Sequence, residues 1–123
     1  EIPLAKKKID AGADFFIAQA QFDINNVIYF LESYRKFTGS YIDIPILWGI
    51  QMVTKGSGSF TSIPESVKQD LRQGKSSIDI ASDIAATYIK SGIKSFYLLP
   101  PFFKTGKRDY NLANNFISTL TCK

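Results

Sequence analysis

A chain of 123 residues, 45% of them apolar, has room for one modest domain and little for long disorder. The 15 Lys and Arg against 11 Asp and Glu leave an excess of +4 that is spread along the chain, not gathered into a stripe with interleaved aromatics, so no nucleic-acid partner is expected. The absence of histidine and a single cysteine, Cys122, exclude Ser-His-Asp and Cys-His machinery, His-rich metal sites, a zinc cluster and an internal disulfide framework.

The chain begins "EIPLAKKKIDAGAD", and Leu4 to Ala11 already reads as the body of a helix, with Lys6, Lys7 and Lys8 on a solvated face. Natural domains seldom start inside an element, so a piece of a longer protein is expected. The helix ends at Gly12, which takes the left-handed conformation at low cost. Phe15 to Gln19 reads as a strand that ends, unusually for an oily run, in amides. Asp23 is a good N-cap for a helix whose Ile24, Val27, Ile28, Leu31 and Tyr34 recur at helical spacing up to Gly39. "IPILWGI", Ile44 to Ile50, is a second strand, with Pro45 tolerable only at its start.

"TKGSGSFTS", Thr54 to Ser62, is a loop by composition. Pro64 suits the first turn of a short helix ending at Gly74. Ile78, Ala81, Ile84, Ala85, Tyr88 and Ile89 form the stripe of another helix, closed at Gly92. Ser95 to Leu99, "SFYLL", is the third strand, stopped by Pro100 and Pro101. Asp109 caps a last helix carrying Leu112, Ala113, Phe116, Ile117 and Leu120 on one side.

Helix, strand, helix, strand, helix, helix, strand, helix is an α/β order, and near-continuous apolar strands indicate a parallel sheet buried on both faces. A weak internal repeat supports it: "KKIDAGADFFIAQ" aligns with "YIKSGIKSFYLLP" on Gly12 and Gly92, matching Gln19 to Leu99. Three such strands leave two open edges, which invite self-association. The natural completion is an eight-stranded (β/α) TIM barrel, of which these are the last three strands with their helices. A small doubly wound sheet is the alternative. No apolar run approaches the roughly 20 residues of a membrane span and no signal peptide is visible, so no membrane partner and a cytoplasmic location are expected.

Ligands of α/β folds bind at the carboxyl ends of the strands. Gln19 stands there and can donate and accept at once, which suits the edge of an amide-like heterocycle; bonding to a loop backbone is the equal alternative. "KGSGS", Lys55 to Ser59, and "FKTGKRD", Phe103 to Asp109, offer backbone N–H groups, Lys104, Lys107 and Arg108 to a phosphate, but neither has P-loop order. Asp10, Asp14, Glu32, Asp43, Asp70, Asp79 and Asp83 fall on helices or at strand starts, and Asp23 is a cap. The sequence therefore displays no pair of acids for general acid–base work and no catalytic residue of its own.

"LAKKKIDAGADFFIAQAQFD", then "IPILWGI", "SIPESV" and "SGIKSFYLL", resemble in order and spacing the methylenetetrahydrofolate reductase family, over nearly the whole chain. The resemblance implies residues 1–123 as a single domain, the C-terminal part of a flavin-bearing barrel. It implies an FAD-dependent oxidoreductase that passes hydride from NAD(P)H to a methylene-folate substrate. It further implies that Gln19 contacts the folate and nicotinamide rings, that Lys8 reaches the FAD diphosphate, and that Glu1 is the acidic FAD contact. Gln21 is then a rim residue. Ala18 stands where the family usually has Thr, Trp48 replaces a small residue or Pro, Gln51-Met52 replace a proline-containing loop, and Phe60 does not align with the family's aromatic substrate contact. From the residues alone, a non-enzymatic module pairing through its sheet edges and a phosphate-ligand binding domain remain as alternatives.

Overall fold

Local capping chemistry sets most element boundaries. The Asp23 carboxylate accepts a hydrogen bond from the Asn25 N–H at 2.9 Å and starts a helix that ends at Gly39, in left-handed geometry at φ 75°. Ser76 accepts from the Asp79 N–H at 3.0 Å, and Asp109 accepts from the Leu112 N–H at 3.1 Å. The computed structural model describes residues 1–121, so Cys122 lies outside the described residues. Along the chain these are α1 (Ile2–Asp10), β1 (Phe16–Ile17), α2 (Ile24–Thr38), β2 (Ile46–Gln51), α3 (Glu65–Arg72), α4 (Ser77–Lys90), β3 (Phe96–Leu99) and α5 (Tyr110–Thr121). The element order is the expected one. Pro64 stands one place earlier than expected, as the N-cap of α3.

The sheet is parallel, in the order β1-β2-β3, with Phe16 opposite Ile46 and Trp48 opposite Phe96. A doubly wound sheet reverses its strand order at the ligand crevice; this one runs in sequence without reversal. Right-handed crossovers between strands taken in sequence place their helices on one face. That face holds the core. Trp48 and Ile50 of β2 pack with Val27 of α2, with Ile80, Ala81, Ile84, Ala85 and Tyr88 of α4, and with Ala113 and Phe116 of α5. Each such large side chain, taken fully out of water, contributes about 1.5–3 kcal/mol. Leu47, Gly49 and Gln51 alternate onto the opposite face.

Burial on both faces holds only for the central strand. Trp48 to Gln51 are buried, β3 is half-buried throughout, and Ile17 of β1 is 66% exposed. The two outer strands are edges, so their apolar runs meet one neighbour instead of two. β1 is also shorter than the expected Phe15 to Gln19. The Ala18 N–H donates to the Leu47 carbonyl at 2.9 Å, but the next acceptor, Gly49, two residues along β2, takes the Gln21 N–H, three residues along β1, at 3.4 Å. One extra residue on β1 breaks the ladder there, as in a β-bulge. β2 starts after Pro45, whose carbonyl accepts from the Phe16 N–H at 2.9 Å.

Candidate functional site

The amphipathic α1 and α2 pack against each other beside the open edge of β1. Between them lies an open cleft of about 710 Å³, lined by Glu1 and Lys8 of the first helical segment, Ile17 and Gln19 of β1 and its end, and Tyr29 and Trp48. All three residues singled out in the sequence, Glu1, Lys8 and Gln19, therefore line one space. Its volume falls in the range of small-molecule sites, and its walls mix apolar surface with a few polar groups, as such sites do. Glu1 is the N-cap residue of α1, yet its side chain makes no capping hydrogen bond. Lys6, two residues before Lys8 and therefore on the other side of the helix, pairs with Asp10 at 3.0 Å.

Gln19 donates through Nε2 to the Phe60 carbonyl at 3.2 Å. Among the described residues nothing donates to its Oε1. The loop-backbone alternative is thus realised for one amide hydrogen, while the carbonyl and the second hydrogen still face outward, the pair a heterocycle edge requires. Gln21 lines the same cleft, but its Oε1 is already engaged: it accepts from Asn26 Nδ2 at 3.3 Å, tying the strand end to the start of α2.

The backbone carrying Gln19 is held by two tyrosines that sequence reasoning did not place at the site. Tyr97 donates its hydroxyl to the Ala18 carbonyl at 2.7 Å. Tyr88 donates to the Gln21 carbonyl at 2.8 Å and lies 3.1 Å from the Gly49 carbonyl. Burial pushes the Tyr88 phenol up to about 12, and the neighbouring Tyr97 adds to the rise. Burial raises Tyr97 as well. Both hydroxyls therefore stay protonated donors at neutral pH. The available signal was Tyr88 itself, a phenol in an otherwise apolar helical stripe, whose hydroxyl needs a partner when buried.

Phe60 was also missed. Its carbonyl holds Gln19, its side chain is 55% exposed, and its ring lies on Phe102 with centroids 4.6 Å apart. Three backbone donors of the loop 54–62 are already engaged. The Thr54 N–H donates to Ser57 Oγ at 2.9 Å, the Ser57 N–H to the Thr54 carbonyl at 3.2 Å, and the Gly58 N–H to the Phe102 carbonyl at 2.8 Å. Those three N–H groups are not free to cradle a phosphate. The basic residues after β3 stand on a hairpin closed by the Phe102–Arg108 bridge, with the Arg108 guanidinium 5.8 Å from the Phe102 ring centroid.

Acids are scarce in the cleft. Asp70 and Asp83 flank Lys75, whose ammonium is held above its usual range chiefly by the Asp83 hydrogen bond. Arg72 holds Glu65 below the usual carboxylate range, on the surface of α3. Among the described residues no group of three His, Cys, Asp or Glu side chains could hold a metal ion, and no helix is long and apolar enough to cross a membrane.

The yeast Saccharomyces cerevisiae protein methylenetetrahydrofolate reductase 2 is 29% identical over 96 residues, which is 72% of this chain and 16% of that protein. The chain thus spans about a sixth of the length of the curated relative it matches. The family profile described as methylenetetrahydrofolate reductase matches residues 1–100, from α1 through β3 and including every residue of the cleft. The chain belongs to the methylenetetrahydrofolate reductase family.

Proposed function

We propose that residues 1–123 are the C-terminal part, as a single domain, of a (β/α)₈ barrel that uses FAD and NAD(P)H to reduce a methylene-folate to a methyl-folate. Three features support the barrel. The strands are parallel and taken in sequence, the core lies on one face, and among the described residues Leu47, Gly49 and Gln51 on the opposite face of β2 stand outside the core cluster. One observation carries the functional reading: Glu1, Lys8 and Gln19 line the same cleft in a chain of this family.

The residues fit the groups they would hold. Lys8 offers a cation to the FAD diphosphate, and Gln19 offers an acceptor and a donor to a ring edge. The flavin, when bound, supplies the hydride relay between nicotinamide and folate. What this chain contributes is orientation: Gln19 fixes the in-plane angle of the ring it meets, Glu1 and Lys8 fix the cofactor, and Ile17 and Trp48 exclude water from one wall. With no catalytic acid of its own in the cleft, the 123-residue chain alone is inactive and binds FAD weakly.

Open edges favour a second reading, a module that pairs with itself, because Phe15 and Ile17 stand 54% and 66% exposed beside the unpaired side of β1. The native product, blotted from its own cell with an antibody to residues 54–62, separates the two. A flavin-carrying product well above 13.8 kDa is the expected result. A flavin-free product of 13.8 kDa that dimerises would contradict the reductase reading and leave the pairing module.

A further inference from the structure

We infer that Tyr97 is a positioning residue for Gln19, acting through the bulged backbone on which Gln19 stands. In a regular parallel ladder, donors two residues apart on one strand meet acceptors two residues apart on the next. Here Leu47 and Gly49 accept from Ala18 and Gln21, so Gln19 and Ala20 occupy the bulge. Bulges re-aim side chains and recur beside active sites, but they leave backbone groups in want of partners. The hydroxyl of Tyr97 reaches the Ala18 carbonyl, at 2.7 Å.

That hydroxyl comes from two strands away. Tyr97 is opposite Gly49 in the β2–β3 register, and its side chain crosses β2 over Gly49 to reach β1. The crossing requires glycine. A Cβ at position 49 would lie 2.6 Å from Tyr97 Cζ, 2.7 Å from its hydroxyl oxygen and 2.9 Å from Ala20 Cα. The Ala18 carbonyl belongs to the same planar peptide as the Gln19 nitrogen. Holding its oxygen fixes the plane from which the Gln19 side chain departs, and Nε2 then meets the Phe60 carbonyl.

Tyr88 holds the far end of the bulge, at the Gln21 carbonyl, but it is fully buried in the helix-side core. Removing it would disturb packing generally. Tyr97 is only half-buried, so losing its hydroxyl while keeping its ring isolates the positioning role. That this alignment serves a ring-bearing substrate rests on the reading of Gln19 given under Proposed function; the alignment itself does not.

The test is ¹⁵N relaxation of the Gln19 side-chain amide in the 123-residue chain, without ligand. In wild type and in Tyr97→4-aminophenylalanine, which restores a donor, the order parameter stays above about 0.6. In Tyr97→Phe it falls below that value, while the backbone amides of Ile50 and Leu98 do not change. An unchanged Gln19 order parameter in Tyr97→Phe would overturn the inference. So would an equal loss of order at Ile50 and Leu98, the mark of a merely structural residue, or failure of the 4-amino variant to restore it. Because no substrate is present, a negative folate assay bears on the ring-contact reading of Gln19 and not on this result.

Discussion

The two copies of the helix–glycine–strand unit start alike and end differently. In the first, the Gly12 N–H donates to the Ile9 carbonyl and the Ala13 N–H to the Lys8 carbonyl, both at 3.0 Å. In the second, Gly92 donates to Ile89 and Ile93 to Tyr88, again both at 3.0 Å. Both glycines sit at positive φ, 98° and 89°. Beyond them the copies part. The Lys8 position faces the cleft in one copy, whereas its counterpart Tyr88 is buried in the core. Ile17 is exposed, whereas its counterpart Tyr97 reaches across the sheet. β1 pairs for two residues and then bulges beneath Gln19; β3 pairs for four, and the matching Leu99 continues the ladder by accepting from the Met52 N–H at 3.0 Å. Local hydrogen bonding builds the unit, and long-range partners decide whether its strand ends in a ladder or in an irregular segment beside the cleft.

The strongest way to break this difference is to fill the crossing point. Gly49→Ala puts a methyl group against Tyr97 and against the Ala20 backbone at once, which cannot both move aside. It should destabilise the chain by about 3 kcal/mol, read from the urea midpoint. Next in size is Tyr88→Phe. It leaves the Gln21 carbonyl without its phenolic donor and should cost about 2 kcal/mol at neutral pH. It also has a pH signature. Burial raises the Tyr88 phenol from 10.0 to about 12 in the fold, so the unfolded chain ionises first. The stability this provides is full below pH 10 and is lost as pH rises toward 12, on the order of 2 kcal/mol. The wild-type urea midpoint should therefore fall between about pH 10 and about pH 12, and Tyr88→Phe should reduce that fall. Tyr97, raised by burial, and Lys75, raised chiefly by its Asp83 hydrogen bond, lose stabilisation in the same direction and leave a residual slope.

A smaller effect sharpens the likeness of the two copies. Gly12→Ala and Gly92→Ala each force a side chain into left-handed backbone, with open space around the new Cβ. Each should cost about 1 kcal/mol, and the two costs should agree within about 0.5 kcal/mol. A large inequality would mean that the units are alike in sequence only. The smallest effect is Gln19→Leu, which gives the first copy the residue of the second. Gln19 is exposed and makes one hydrogen bond, so the urea midpoint should move by less than about 0.5 kcal/mol.

The sequence disclosed the local part of this architecture. Asp23, Gly39, Gly92 and Asp109 mark boundaries through capping and turn chemistry that needs no distant partner. The parallel order follows from apolar runs alternating with helical stripes. The length of β1 was not legible, because nothing between Phe15 and Gln21 announces that Gly49 will accept from the third donor and not the second. Nor were the tyrosine contacts. Tyr97 lies 79 residues from its acceptor Ala18, and composition carries no trace of so distant a pairing. Half of the outer strands' burial was misread for a related reason: an apolar run does not say whether its second neighbour is present. Gln19 was legible from its place at the carboxyl end of a strand, Glu1 and Lys8 only through the family's motif order, and the convergence of the three on one space is what the fold adds.

The central claim is that Gln19 orients the folate ring, and the folate half-reaction tests it most directly. The flavin-carrying native product would be isolated as wild type and as Gln19→Leu, reduced, and mixed with methylenetetrahydrofolate while flavin reoxidation is followed. With flavin content equal, the variant should reoxidise about 10- to 100-fold more slowly, the loss expected when a hydrogen-bonding side chain is withdrawn from a substrate's polar edge. Equal rates in the two proteins would contradict the account and leave Gln19 as a residue that does no more than bond the Phe60 carbonyl.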